Sequence, residues 1–199
     1  MFFHSPPWDE VVYWSLDLET GGLDEHRDAI VSVGMVPVRA GTILLGEAFH
    51  SLVRPAGGMA LGAPSIAAHQ LTPGELADAP GLAEVIESLD ERLREGVLLV
   101  HQAGVDVAFL KRAYRALGRR WPKPQLVDTV QLLLALAHRQ RFASKTPEQL
   151  PTLNLAEARR ELGLPEYTAH DPVLDALACA ELFLLLRYKL SARRLRDLT

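Results

Sequence analysis

The sequence has only one cysteine and no long apolar run, and each of these features excludes a class of protein. Cys179 is the sole cysteine among 199 residues, so it cannot form an intramolecular disulfide or build a zinc site by itself. No apolar run reaches the ~18 residues that a membrane-spanning helix needs. The first residues also lack the charged start and apolar core of a signal peptide. We therefore expect a cytoplasmic protein without a membrane partner, with Cys179 as a small buried side chain.

Excess positive charge is also missing. The formal net charge is −4 and the isoelectric point is near 6.0, so no overall basic field attracts long duplex nucleic acid. Any contact with nucleic acid must be short and local, or mediated by metal. Basic residues do cluster at Arg112, Arg115, Arg119, Arg120 and Lys123, and at Arg187, Lys189, Arg193, Arg194 and Arg196. Solvated helix faces explain both clusters as well as a binding role does.

The order of predicted elements indicates an α/β domain with one mixed sheet covered by helices. Apolar and β-branched segments predict strands over 11–18, 30–38, 41–53, 97–100 and 125–127, with a hairpin turn at 39–41. Helical spacing predicts helices over 82–93, 105–117, 129–136, 153–162 and 173–190. The proline- and glycine-rich segment 54–80 is predicted as a surface connection, and 138–151 as a mobile polar loop.

Asp17 and Glu19 lie two positions apart at the end of the first predicted strand. Residues at that spacing point to the same face of a strand. Two carboxylates there repel each other and are costly to desolvate, and a divalent cation between them would remove that cost. The glycines that follow permit a close approach by backbone or ligand. Taken alone, the pair also fits a solvated strand end that carries two surface acids.

Two further segments place acids at predicted helix starts. Asp106 lies in the first turn of its helix, where stabilisation of the helix dipole and binding of a ligand are both possible roles. Asp171 caps the last long helix, and Asp175 follows one turn later with no evident structural need for a charge. His170 lies just outside this helix. Two roles are open for it: its side chain is directed toward the same point as that of Asp175, or it is an ordinary surface histidine.

Together these segments resemble the DEDDh family of 3′–5′ exonucleases, which includes the proofreading subunit of bacterial replicative polymerase and RNase T. Asp17-Leu-Glu-Thr-Gly-Gly-Leu23 is similar to Asp-x-Glu-Thr-Thr-Gly-Leu, and His101 to Leu110 is similar to His-Asn-Ala-x-Phe-Asp-x-x-Phe-Leu. His170 to Ala176 is similar to His-x-Ala-x-x-Asp-Ala, His69-Gln-Leu-Thr72 to His-Gly-Ile-Thr, and Asp128-Thr129 to another recurrent site. We therefore expect one exonuclease domain over residues 1–199 with its core at about 11–188.

The resemblance implies an RNase H-like fold, with a mixed five-stranded sheet flanked by helices. It implies that two Mg²⁺ or Mn²⁺ ions are held by Asp17, Glu19, Asp106 and Asp175. Carboxylate oxygens without cysteine suit these ions better than zinc. His170 would be the general base, since imidazole accepts protons near neutral pH. By the same resemblance, Thr20, Leu23 and His69 would bind the terminal nucleotide.

The resemblance also implies a substrate, namely single-stranded or frayed 3′ ends, and we expect DNA rather than RNA. A DNA polymerase is a further partner that the family suggests, and the oligomeric state is left as monomer or homodimer. Two alternatives remain open: an RNA-trimming exoribonuclease, and a catalytically silent module that associates with a polymerase. Retention of all four acids and of His170 argues against the silent module.

Four positions depart from the family motifs without removing a predicted ligand or base. Gly21 replaces a threonine, Gln102 an asparagine, Val105 a phenylalanine and Pro172 an alanine. The longer Gln102 is expected to loosen the turn before Asp106, and Val105 removes an aromatic ring that would pack beside the site. We expect activity to survive these changes with an altered rate or substrate preference.

Overall fold

A mixed β-sheet forms the centre of the protein in the computed structural model, which describes residues 5–58, 67, 70–144, 150–168 and 170–199. The strands are β1 (Val12–Thr20), β2 (Ile30–Arg39), β3 (Thr42–Ile43), β4 (Phe49–Leu52), β5 (Val97–Val100) and β6 (Leu126–Asp128). The helices are α1 (Pro73–Ala77), α2 (Leu82–Glu95), α3 (Ala103–Ala116), α4 (Thr129–Ser144), α5 (Leu155–Glu161) and α6 (Pro172–Leu190). The predicted mixed sheet flanked by helices is confirmed.

Strand pairing places β1 in the middle of the sheet and leaves its end open. The order is β3-β2-β1-β5-β6, and β4 pairs with the other part of β2. β1 runs antiparallel to β2 and parallel to β5, and its last residue paired with β5 is Ser15. The rest of β1 therefore extends beyond β5, so one edge of its C-terminal half faces the start of α3.

Two apolar clusters, one on each face of the sheet, form the core. On one face, Tyr13 and Leu99 pack with α4, α5 and α6, and the rings of Tyr13 and Phe183 lie 4.7 Å apart. On the other face, Leu16 and Leu98 pack with α2 and α3. This division follows from the period of two along each strand. Within the described ranges, none of the helices is long and apolar enough to cross a membrane.

Two predicted elements differ from the structure, and the predicted connection 54–80 contains the short helix α1. The predicted strand 41–53 is interrupted by a 3-10 turn over Leu45–Glu47. The short strands β3 and β4 therefore replace the one predicted strand. Helix α4 does not end at residue 136 but continues to Ser144, so the prediction of a loop from 138 is wrong up to that residue. Residues 137–144 contain neither glycine nor proline, and nothing in them stops the helix. Residues 145–149 lie outside the described residues.

Candidate active site

One face of β1 carries the first two candidate ligands toward α6. Tyr13, Ser15, Asp17 and Glu19 alternate along this strand and therefore share a face. Tyr13 packs in the core against α6, and the buried Ser15 hydroxyl donates a hydrogen bond to the carbonyl oxygen of Ala176 at 2.7 Å. This bond fixes the first turns of α6 beside the C-terminal half of β1, where the two carboxylates lie.

Gly34 of β2 allows α6 to begin directly against the sheet. Gly34 is the residue paired with Asp17, and a Cβ atom added to it would lie 2.2 Å from the backbone carbonyl of Pro172. Because Pro172 is the first residue of α6, only glycine leaves room for the helix start at this register. Gly34 was not singled out from the sequence, since a glycine within a strand does not reveal which distant segment approaches it.

Replacing Gly34 with alanine is expected to displace the start of α6 and to lower both stability and activity. Overpacking of this kind costs about 1–3 kcal/mol, and the displaced helix carries Asp175. Thermal unfolding and the initial rate of nuclease activity measure the two effects. Gly46→Ala is the matched control, because a Cβ atom at Gly46 would meet nothing within 4 Å. Equal stability and rates for the two variants would contradict this account of Gly34.

The structure brings three of the four predicted acids into one group. Ligand oxygens of Asp17, Glu19 and Asp175 all lie within 4.8 Å of one another. Asp106 lies beside this group and is 7% exposed, and the backbone N–H of Leu18 is close enough to its carboxyl group to favour the charged form. Asp106 therefore contacts the backbone of β1 between the two acids of that strand, at the edge that β5 leaves open.

The pKa values of all four carboxyl groups lie above their ordinary range, with burial as the main cause. Burial and the charges of Asp106, Asp175, Glu19 and Asp171 raise the pKa of Asp17. Burial, followed by the charges of Asp175 and Asp171, raises the pKa of Glu19 to about 7. Burial likewise raises the pKa of Asp106 to about 7 and raises that of Asp175. Clustered carboxylates that disfavour their own ionisation fit a divalent cation, and an all-oxygen donor set fits Mg²⁺ or Mn²⁺.

Asp128 holds the turn that places Asp106. Gln102 adopts a left-handed backbone (φ 72°), which asparagine tolerates better than glutamine does. The carboxylate of Asp128 accepts hydrogen bonds from the N–H groups of Gln102 and Ala103 at 3.0 and 2.9 Å, and from Val130 at 2.9 Å. Asp128 therefore fixes the start of α3 and the start of α4 together. These bonds hold the turn that the Gln102 departure was expected to loosen.

His170 is exposed and is held to Asp175 through its backbone. Its N–H donates to Oδ2 of Asp175 at 2.8 Å, while Asp171 caps α6 by accepting from the N–H groups of Val173 and Leu174. His170 has a positive φ of 69°, a conformation that histidine adopts more readily than most residues. The imidazole therefore leaves the chain at the rim of the acidic group.

The loop after β1 displays Leu23 to solvent. Leu23 is 86% exposed, and the Thr20 hydroxyl donates to the carbonyl oxygen of Gly22 at 2.6 Å. A Cβ atom at Gly22 would lie 2.2 Å from the carboxylate of Asp28, so glycine at this position lets that carboxylate lie against the loop. Val105, on the first turn of α3, is 38% exposed and offers an apolar surface beside Asp106. His69 lies outside the described residues.

Residues 15–183 match the RNase T family model, which describes an exonuclease. The chain is 34% identical over 190 residues to the DNA polymerase III subunit epsilon-like protein of Rhodobacter capsulatus, covering 95% of this chain and 25% of that protein. It is 29% identical over 174 residues to DNA polymerase III subunit epsilon of Escherichia coli, covering 85% of this chain and 68% of that protein. The chain thus spans about a quarter of the first relative and about two thirds of the second.

Solved structures share the fold. Exonuclease I of E. coli in complex with a dT13 oligonucleotide matches with a TM-score of 0.76 at 15% identity, covering 91% of this chain and 42% of that chain. Exonuclease I of Methylocaldum szegediense matches with a TM-score of 0.73 at 18% identity, covering 89% of this chain and 40% of that chain. At these identities the likeness establishes the architecture alone.

Proposed function

The chain belongs to the RNase T exonuclease family, and on this basis we propose that it is a metal-dependent 3′–5′ exonuclease. It removes nucleoside 5′-monophosphates from single-stranded or frayed 3′ ends. The observation that carries this proposal is the acidic group of Asp17, Glu19 and Asp175, whose ligand oxygens lie within 4.8 Å of one another beside buried Asp106. The family match and the geometry of this carboxylate group support the same chemistry.

The four acids would hold two Mg²⁺ or Mn²⁺ ions. When bound, the ions neutralise charge on the scissile phosphate and lower the pKa of the attacking water. His170 accepts the proton of that water as general base, from its position at the rim of the acidic group. Leu23 and the backbone of Thr20 hold the terminal nucleotide, and His69 is proposed to assist them. The 3′ oxygen of the shortened strand is the leaving group.

Single-stranded DNA is the proposed substrate class, in preference to RNA. Exonuclease I, whose fold the chain shares, was solved with a dT13 oligonucleotide, and the E. coli relative is named a DNA polymerase subunit. The exposed apolar side chains of Leu23 and Val105 suit contact with unpaired bases. We also propose a DNA polymerase as a partner, on the ground of the relatives' names.

The experiment that tests the function uses 5′-labelled single strands of DNA and RNA, incubated in parallel with Mg²⁺. We expect the DNA to give a ladder that shortens from its 3′ end, and EDTA to abolish it. A 3′-blocked strand tests polarity, since it should resist degradation. Preferential degradation of RNA would favour the exoribonuclease, and binding without degradation would favour the silent module. Activity that persists in EDTA would contradict the role of metal.

A further inference from the structure

Arg159 is a buried cation that joins three segments of the chain. Its side chain is 3% exposed, and its Nη1 atom donates to the carbonyl oxygen of Ala178 on α6 at 2.6 Å. Its Nη2 atom donates to the carbonyl oxygen of Pro165 at 2.8 Å and to Oε2 of Glu181 at 2.7 Å. Charge-assisted bonds from one planar guanidinium are strong and directional. Arg159 therefore fixes α5, α6 and the segment between them to one another.

Tyr167 completes this arrangement from the segment that precedes α6. Its hydroxyl donates to Oε1 of Glu181 at 2.9 Å, and its ring centroid lies 4.9 Å from Cζ of Arg159. Each carboxylate oxygen of Glu181 thus accepts from a different partner, Arg159 on one side and Tyr167 on the other. These three side chains are called the Arg159–Glu181–Tyr167 network below.

The network adjoins the candidate active site. Tyr167 lies three residues before His170, whose backbone N–H donates to Oδ2 of Asp175. A cleft of about 80 Å³ is lined by Arg159, Tyr167 and Asp175 together with neighbouring residues. The segment that carries His170 is therefore attached at two points, through Tyr167 to Glu181 and through the backbone of His170 to Asp175.

We propose that Tyr167 is a positioning residue for His170, acting through the Arg159–Glu181–Tyr167 network. This inference rests on the proposed function, in which His170 is the general base. The His170 side chain is exposed, so packing does not fix its imidazole ring. The position of the ring therefore depends on the backbone of His170. A misplacement of a reacting group by about 1 Å can cost on the order of 10²-fold in rate. The hydroxyl of Tyr167 limits such movement.

The test compares Tyr167→Phe with the wild type in the proposed nuclease assay. Removing only the hydroxyl is expected to lower kcat roughly tenfold with little change in KM, since positioning acts on the chemical step. Glu181→Gln should have a similar effect, because it weakens the bonds to both partners. Tyr188→Phe is the matched control: Tyr188 lies on α6, 74% exposed, and its replacement should leave kcat unchanged.

A double-mutant cycle and hydrogen exchange separate positioning from a general loss of stability. In a His170→Asn background, Tyr167→Phe should cause no further loss of kcat, whereas a merely structural role would cost the same in both backgrounds. Amide exchange over residues 163–168 should be faster in Tyr167→Phe and unchanged in Tyr188→Phe. Unchanged exchange, or equal losses of kcat in both backgrounds, would overturn the inference. If exchange is faster in Tyr167→Phe but the wild type itself degrades no oligonucleotide, the proposed function is overturned instead.

Discussion

Replacing Asp17 with asparagine is expected to lower the exonuclease rate by a factor on the order of 10³–10⁵, because bound metal contributes several kcal/mol to the transition state. Asp17 contributes one of the three ligand oxygens that lie close together. The charges of Asp106, Asp175, Glu19 and Asp171 all act on its carboxyl group. Asparagine has the same shape but offers a weaker ligand to a divalent cation. Initial rates on a 5′-labelled single strand in saturating Mg²⁺ measure the loss.

The same substitution is expected to stabilise the metal-free protein at high pH. The pKa of Asp17 is raised in the folded protein, so the folded state binds its proton more tightly than the unfolded state does. The free energy of unfolding of the metal-free wild type therefore falls as the pH rises above the ordinary aspartate value of about 4. Glu19 and Asp106, each with a pKa of about 7, extend this fall to neutral pH.

Thermal unfolding in EDTA tests this pH dependence. Asp17→Asn should raise Tm by about 2–8 °C at pH 8, given about 2–4 °C per kcal/mol for a protein of this size, and the gain should vanish near pH 4. Mg²⁺ should stabilise the wild type more than the variant, since a ligand stabilises the state that binds it. Asp78→Asn, an exposed acid outside the candidate site, should change neither Tm nor rate. A variant that loses stability at every pH would contradict the account of repulsion.

The sequence predicted those features of the site that depend on local spacing. Asp17 and Glu19 share a face because a strand has a period of two, and capping chemistry placed Asp171 and Asp175 at a helix start. Such relations lie within a few residues and can be read without a structure. The motif resemblance then indicated that these separate segments and Asp106 act together.

The supports of the site could not be predicted, because each depends on contacts between distant segments. Ser15 bonds to the carbonyl of Ala176, and Gly34 makes room for the backbone of Pro172. Neither a serine nor a glycine within a strand shows in the sequence which distant segment it contacts. Asp128 caps α4 by accepting from the N–H of Val130, but its second role at the start of α3 emerges only where β5 and β6 end side by side.

Replacing His170 is expected to lower kcat by on the order of 10²–10⁴, as loss of a general base does, with little effect on stability. His170→Asn is the preferred variant, because asparagine tolerates the positive φ and retains the backbone N–H that donates to Asp175. Alanine at the same position should give a similar loss of kcat with some backbone strain. His138→Ala, an exposed histidine on α4, serves as the control with full activity. Full activity in His170→Asn would exclude His170 as the base. If Asp17→Asn loses its activity in the same assay, the acidic group would still be the centre of catalysis.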